Sequence, residues 1–551
     1  TDSGVLDIGG DTQLRTTAAN GSVILDQASD IDGALVVTTD GVGTTSVTNL
    51  TDAINLGAIT TAQLTVGAAG AITDSGSLDI GGDAQFTTTA ADGSVTLDQV
   101  SDIDGALIVT TDGMGITSVT NLADAIDLGA ITTGQLTVGG AGAMTDSGTQ
   151  TVLGAASFVT QNDVGADITL DDGSSTFGSI TVRVLNAAGA TAAPGVITIT
   201  ESGSIDITQV QTAGTANLTA GTINGIGSIT ANSLGLTVTG GGIALQALTL
   251  SGNLTVSAAG AITDSGVLDI GGNVQFTTTA ANGSVTLDQA SDIDGALGVT
   301  TNGTGTTSVT NLTDAIDLGA ITTAQLTIGA AGAITDSGVL DIGGDAQFTT
   351  TAADGSVTLD QASDIDGTLT VTTDGTGTTS VTNLSDAIDL GAITTAQLTI
   401  GAAGAITDSG VLDIGGDTQF TTTAANGSVT LDQASDIDGT LIVTTNGTGT
   451  TSVTNLTDAI DLGTITTAQL TIGAAGAITD SGVLDIGGTA QFTTTAANGS
   501  VTLDQASDID GTLGVTTDGT GTTSVTNLAG PIDLGAITTA QLTIGAAGAI
   551  I

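Results

Sequence analysis

An eight-residue string, DQASDIDG or its close variant DQVSDIDG, recurs six times in the chain and holds three aspartates in fixed positions. They are Asp26/Asp30/Asp32, Asp98/Asp102/Asp104, Asp288/Asp292/Asp294, Asp360/Asp364/Asp366, Asp432/Asp436/Asp438 and Asp504/Asp508/Asp510. Clustered carboxylates are hard oxygen donors, and the chemistry they suit is binding of Ca²⁺. Two other turns serve as an internal comparison. In one, Asp92 and Asp354 alternate with Asn20, Asn282, Asn426 and Asn498; in the other, Asp40, Asp112, Asp374 and Asp518 alternate with Asn302 and Asn446. Those positions accept loss of charge and read as turn formers. The DQASDIDG aspartates do not exchange. They read either as a calcium site, with Asp360, Asp364, Asp366, Asp432, Asp436 and Asp438 as its type members, or as a solvated turn copied by recent duplication. The glycine-rich nonapeptide of calcium-binding toxin repeats is missing, and GGDTQF at 415–420 departs from it.

Other chemistry has few candidates. The chain has no Cys and no His, so the common nucleophilic triads and dyads cannot be built, and zinc and haem lose their usual ligands. General acid catalysis needs a carboxyl with a raised pKa in a cleft, and a uniform repeat offers no obvious cleft. Lyase chemistry on polysaccharides also wants bases, and only Arg15 and Arg183 exist. The expectation is a protein that is not an enzyme and has no cofactor beyond calcium. Threonine-rich runs such as VTTDGTGTTSVT (371–382) raise the idea of an ice-matching surface, against the plainer reading of outward-facing strand residues. Arg183 lies with Pro194 in an irregular block, the natural place for a loop that binds something or for an older repeat that drifted.

The composition bounds the answer further. The 551 residues carry a formal charge of −55, with 57 acids against two bases. Glu201 is the sole glutamate, so the acids are almost all Asp. Aspartate is favoured where a short side chain bonds nearby backbone N–H groups, so these are largely turn residues. Such a surface repels nucleic acid and anionic membranes. With 39% hydrophobic residues and a mean hydropathy of +0.39, the chain can still bury apolar surface, which a disordered acidic tail cannot. No run of apolar residues is long enough to span a membrane. The chain starts at Thr1 without Met and ends in the repeat phase in which it begins, and we read it as a piece of a longer protein flanked by further repeats.

The elements that must position these residues follow from the repeat. TDSG occurs at 1, 73, 145, 263, 335, 407 and 479, evenly spaced but for one longer gap between 145 and 263. The organisation expected is repeats 1–2 over 1–144, a diverged block over 145–262 and repeats 3–6 over 263–551, in one continuous rod. Each copy divides at its turn signals into three stretches, such as 396–417, 418–439 and 440–467, of which the last is the longest. Within them, triplets such as Leu412-Asp413-Ile414 and Val429-Thr430-Leu431 alternate apolar and polar, the period of a half-buried strand. No stretch has helical spacing. A single copy, with about one Phe and no disulfide, would struggle to fold alone, whereas stacked coils share one core. The fold expected is all-β, a parallel β-helix (β-solenoid) of about three coils per repeat, with Phe86, Phe276, Phe348, Phe420 and Phe492 as core filling and Leu14 in their place in the first copy.

LTIGAAGAITDSGVLDIGGDTQFTTTAANGSVTL (398–431) and GNLTVSAAGAITDSG (252–266) resemble the repeat regions of large bacterial surface adhesins of the filamentous haemagglutinin type. That resemblance implies a right-handed β-helix, secretion, and an extracellular place on the bacterial cell surface or in a biofilm matrix. It implies an adhesive or stalk role toward a glycan or protein of a host or neighbouring cell, and it brings no catalytic residues. A calcium-binding surface-layer or matrix repeat protein is the alternative.

Overall fold

The computed structural model describes residues 1–551 and contains strands and turns but no helix. It divides into two compact units, Thr1–Gly260 and Ala261–Ile551. Each is a parallel β-solenoid, as the alternating triplets imply.

In the second unit the packing follows directly from period two. Along Val429–Leu431, Val429 and Leu431 are buried and Thr430 faces out. Every inward side chain lies over the inward side chain of the next turn. Phe420 stands in register with Ile400 before it and Val443 after it, and Phe348 with Ile328 and Val371. A slip of one residue would send every apolar side chain to solvent, so the pattern fixes the register.

Seven strand-bearing segments make up a copy. In one they are Thr307–Leu312, Ile316–Thr323, Leu326–Ala330, Ile334–Asp336 with Leu340–Ile342, Ala346–Thr350, Val357–Leu359 with Asp364–Ile365, and Thr368–Thr372. Successive segments fall alternately on two faces, each being half a turn. Turns differ in length: a short one brings Ile334 beside Ile316, and a longer one brings Leu369 beside Ala346. Seven half-turns is an odd number. The next copy, beginning at Thr379–Leu384, therefore starts on the opposite face. Phe276 and Phe420 belong to one face, Phe348 and Phe492 to the other. The count of about three coils per repeat thus sharpens to three and a half. The long stretch at 440–467 holds three segments, where 396–417 and 418–439 each hold two.

In the first unit, the copies over 1–144 keep this plan, with Thr45 beside Leu64, Leu64 beside Ala84 and Ala84 beside Leu107. The diverged segment builds longer strands, Gln150–Gln161, Thr176–Leu185, Ser204–Gln211 and Thr222–Thr230, stacked in order. Phe158 and Phe177 meet edge to face there, with ring centroids 5.9 Å apart. One turn lengthens, running from Ile168 round to Ile197. It carries a small loop closed by an antiparallel bridge of Leu185 to Ala192.

The threonine runs are not all outward. Thr373, Thr379 and Thr395 are buried. Thr373 Oγ1 donates to Gly377 O at 2.8 Å, and the Thr373 and Thr379 hydroxyls each lie 3.0 Å from Thr395 Oγ1. Thr395 Oγ1 in turn reaches Gly377 O and Gln397 O. The same knot forms at Thr45/Thr61 with Thr39, at Thr117/Thr133 with Thr111, and at Thr451/Thr467 with Thr445. It ties two adjacent turns together at one corner of the coil. Thr395→Val is expected to cost about 1–3 kcal/mol in equilibrium unfolding, because it strands the buried Thr379 hydroxyl, while Thr373 keeps Gly377 O as its partner. Replacing all three threonines by valine should cost less than the sum of the single changes, since the unsatisfied partners go with them.

Candidate functional site

The DQASDIDG aspartates divide into three roles. The first, Asp432, is exposed, and its Oδ1 accepts from Gln433 Nε2 at 2.7 Å. The turn it occupies is held from the previous coil: Asp408 of TDSG accepts the backbone N–H groups of Asp432 and Gln433 at 2.7 and 3.2 Å. Asn455, with φ of 60°, donates to Asp432 O from the next coil. Asp360 has the same partners in Gln361, Asp336 and Asn383. The second aspartate enters a ladder of like charges. Asp436 stands in register with Asp413 and also faces Asp458 and Asp438; Asp364 likewise pairs in register with Asp341. The third, Asp438 or Asp366, is exposed and adjoins the glycine that ends the motif. No group of three or more acidic side chains converges in a geometry that could hold a metal ion.

Sequence reasoning does not single out Asp408, Asp413 or Asp458. Their partners lie a full turn away along the chain, beyond any local pattern. The signal that could have found them is the turn length itself, which sets aspartates of TDSG and VLDIGG over those of DQASDIDG.

Electrostatics of this surface has a definite sign. Burial pushes the carboxyls of Asp74, Asp336, Asp408 and Asp480 above the usual carboxylate range, against the lowering effect of the two N–H groups each accepts. Asp102, Asp292 and Asp436 are raised by burial and then by neighbouring aspartates. Glu201, only 4% exposed, is pushed up to about 7 by burial, although its Oε1 accepts the Phe177 N–H; its Oε2 has no partner. Asp2 and Asp172 are lowered by the N–H groups they accept. For the raised groups the folded protein takes up protons before the unfolded chain does. Their charged forms oppose folding above the raised pKa, and that opposition is relieved as pH falls through it. The melting temperature is therefore expected to rise from pH 8 to pH 5. Glu201→Gln should raise it at pH 8 and flatten the rise between pH 8 and 6. A melting temperature that falls steadily from pH 8 to 5 would contradict this sign.

Shallow grooves complete the surface. In the second unit one groove is lined by Asn311, Gly329, Gln347 and Thr349, with a volume of about 490 Å³. It returns one copy later at Asn383, Gly401, Gln419 and Thr421, and again at Asn455, Gly473 and Thr493. Glycine at the floor leaves the space open, and the left-handed asparagine shapes the wall. Because a copy is seven half-turns, the grooves alternate between faces. In the first unit, a groove of about 620 Å³ lies at the edge of the diverged segment, bordered by Gly139, Gln161 and Arg183.

These features define a tandem-repeat protein of the parallel β-solenoid class. Comparison with known families places it more closely. The family described as Repeats of unknown function (DUF5649) matches residues 42–110, 115–184, 231–300, 304–372, 376–444 and 448–516. These six matches cover about three quarters of the 551 residues, and the chain belongs to that family. The matches run into both ends of the diverged block and leave 185–230 between them uncovered. No curated protein and no solved structure matches the chain. No helix is long and apolar enough to cross a membrane.

Proposed function

We propose that this chain is a structural and adhesive segment of a secreted bacterial surface protein. It would hold an attachment surface away from the cell or join cells in a matrix, with a glycan or protein of another cell as its partner and no catalysis of its own. The observation that carries this reading is recurrence: the same groove of Asn and Thr side chains over a glycine returns at Asn311, Asn383 and Asn455 on alternating faces. Weak contacts repeated along one chain add up to avidity without any single strong site. The likeness of the repeat to filamentous haemagglutinin-type adhesins supports the same reading, and the acidic surface works against nucleic acid and anionic membranes as partners. Beads coated with the full chain should attach to cells far better than albumin-coated beads, and soluble chain should compete. Equal attachment of the two bead types would refute the adhesive role.

The second reading, a calcium-binding surface-layer or matrix repeat, draws on Asp436, whose repulsion by the like charges of Asp438, Asp458 and Asp413 a divalent cation would relieve, although no three of these carboxylates converge on one position. Melting in Ca²⁺ and in chelator separates the two. The adhesive segment should melt at nearly the same temperature in both, and a calcium-built one many degrees lower in chelator.

A further inference from the structure

Arg183 is one of two cations in a chain with 57 acids, yet no carboxylate pairs with it. Its Nε donates to Gln211 Oε1 at 3.0 Å, and this is its one hydrogen bond. Arg183 is one of the residues that border the groove of about 620 Å³ in the first unit. The floor of that groove is Gly139 and Gly140, and its polar lining includes Asn121, Thr137 and Gln161. One wall comes from the loop after Leu185, through Ala187 and Gly189. Asp163 reaches this loop, but its Oδ1 is taken by the Ala187 N–H at 2.9 Å.

Register shows how the groove differs from its regular counterparts. Gly139 lies beside Val159, and Val159 beside Arg183. The equivalent rungs in a regular copy are Gly329, Thr349 and Thr372. Divergence has thus put a cation where the repeats carry threonine and has added a loop beside it. The neutral groove of the repeats has become a groove with one positive charge.

We infer that the Arg183 groove binds a carboxylate-bearing sugar, an acidic residue at the end of an otherwise uncharged glycan. A guanidinium takes a carboxylate through two parallel hydrogen bonds. The field of a chain with net charge −55 disfavours polyanions and leaves a ligand with a single carboxylate as the anion best tolerated. Hydroxyl and amide side chains around Arg183 match sugar hydroxyls. Addition of a peptide strand is closed off here, because Gln135–Gly140 is already paired on both sides, to Ile116–Leu122 and to Gln150–Gln161. The inference deepens the adhesive reading and rests on it for the source of the glycan, though not for the binding itself.

The test is calorimetric or NMR titration of the full chain with three probes: a glucuronic-acid-terminated oligosaccharide, its glucose-terminated counterpart, and a peptide with a free C-terminal carboxylate. The acidic sugar should bind, the neutral one roughly tenfold or more weaker, and the peptide not at all. Arg183→Gln should weaken the acidic sugar by a similar factor, and Arg15→Gln should leave it unchanged. Equal binding of acidic and neutral sugars overturns the inference, as does an unchanged affinity in Arg183→Gln. Binding of the peptide in place of the sugar overturns it in favour of a peptide ligand. The comparison of probes on the unaltered chain stands even if a variant misfolds. Loss of the acidic-sugar preference with bead attachment intact would sink this site alone, and the reverse pattern would sink the adhesive role alone.

Discussion

Phe420→Ala is expected to destabilise the second unit by about 3–5 kcal/mol, the range for emptying a buried aromatic site. Phe420 is fully buried and stacked between Ile400 and Val443 on the flanking turns. The cavity cannot collapse easily, because each turn is hydrogen-bonded to both neighbours and cannot move toward the gap without breaking those rungs. The damage should be local, since a repeat contacts only the turns next to it. Hydrogen exchange should accelerate most for amides between 398 and 444 and least in distant copies. Phe420→Leu should cost less than about 1.5 kcal/mol; Leu14, its counterpart in the first copy, is only half-buried. A uniform acceleration along the whole chain would contradict the stacked-turn picture.

Gly439→Ala is the second large effect, expected at about 3 kcal/mol, the upper end of overpacking penalties. Gly439 ends the DQASDIDG motif. A Cβ there would run into Gly416 C and Asp417 N on the preceding turn, well inside contact distance. Both are backbone atoms, so no side chain can swing aside. The same close approach recurs at Gly367 over Gly344 and at Gly511 over Gly488. Gly415→Ala is the control: its Cβ would meet nothing nearer than Ala396 Cα at 3.9 Å, and it should be tolerated. Comparable losses for both substitutions in urea unfolding would show that the crowding at Gly439 is not what fixes the motif.

Much of this architecture is legible in the residues. The alternation in Val429-Thr430-Leu431 gives the buried face, and the five recurring phenylalanines give the core. What escapes is everything set by turn length. A half-turn and a full turn end in the same Gly, Asn and Asp signals, so a division at those signals hides the half-turn that places Phe348 and Phe420 on opposite faces. Thr373, Thr379 and Thr395 look like surface strand residues, because the hydroxyl partners that let them be buried come from neighbouring turns rather than from nearby in the chain. The DQASDIDG aspartates draw attention as a group. Their spacing along the chain does not bring them to one point, and the contacts that fix them come from Asp408 and Asn455 on the turns to either side. Arg183 stands out by its charge, but only the register reveals that it replaces a threonine beside a groove.

The most direct test of the turn count uses spin labels at Val339, Val411 and Val483, exposed and equivalent positions of three successive copies in the second unit. With adjacent parallel strands about 4.8 Å apart, seven turns separate Val339 from Val483 by roughly 34 Å on one face. Val411 lies three and a half turns from each and on the other face, about 20 Å away or more once the roughly 10 Å between sheets is included. The 339–483 pair should give a dipolar distance near the first value, and the 339–411 pair should show no strong short-range broadening. Strong broadening in the 339–411 pair, from a separation of about 14 Å on one face, is the result for three whole turns per repeat and would contradict the account.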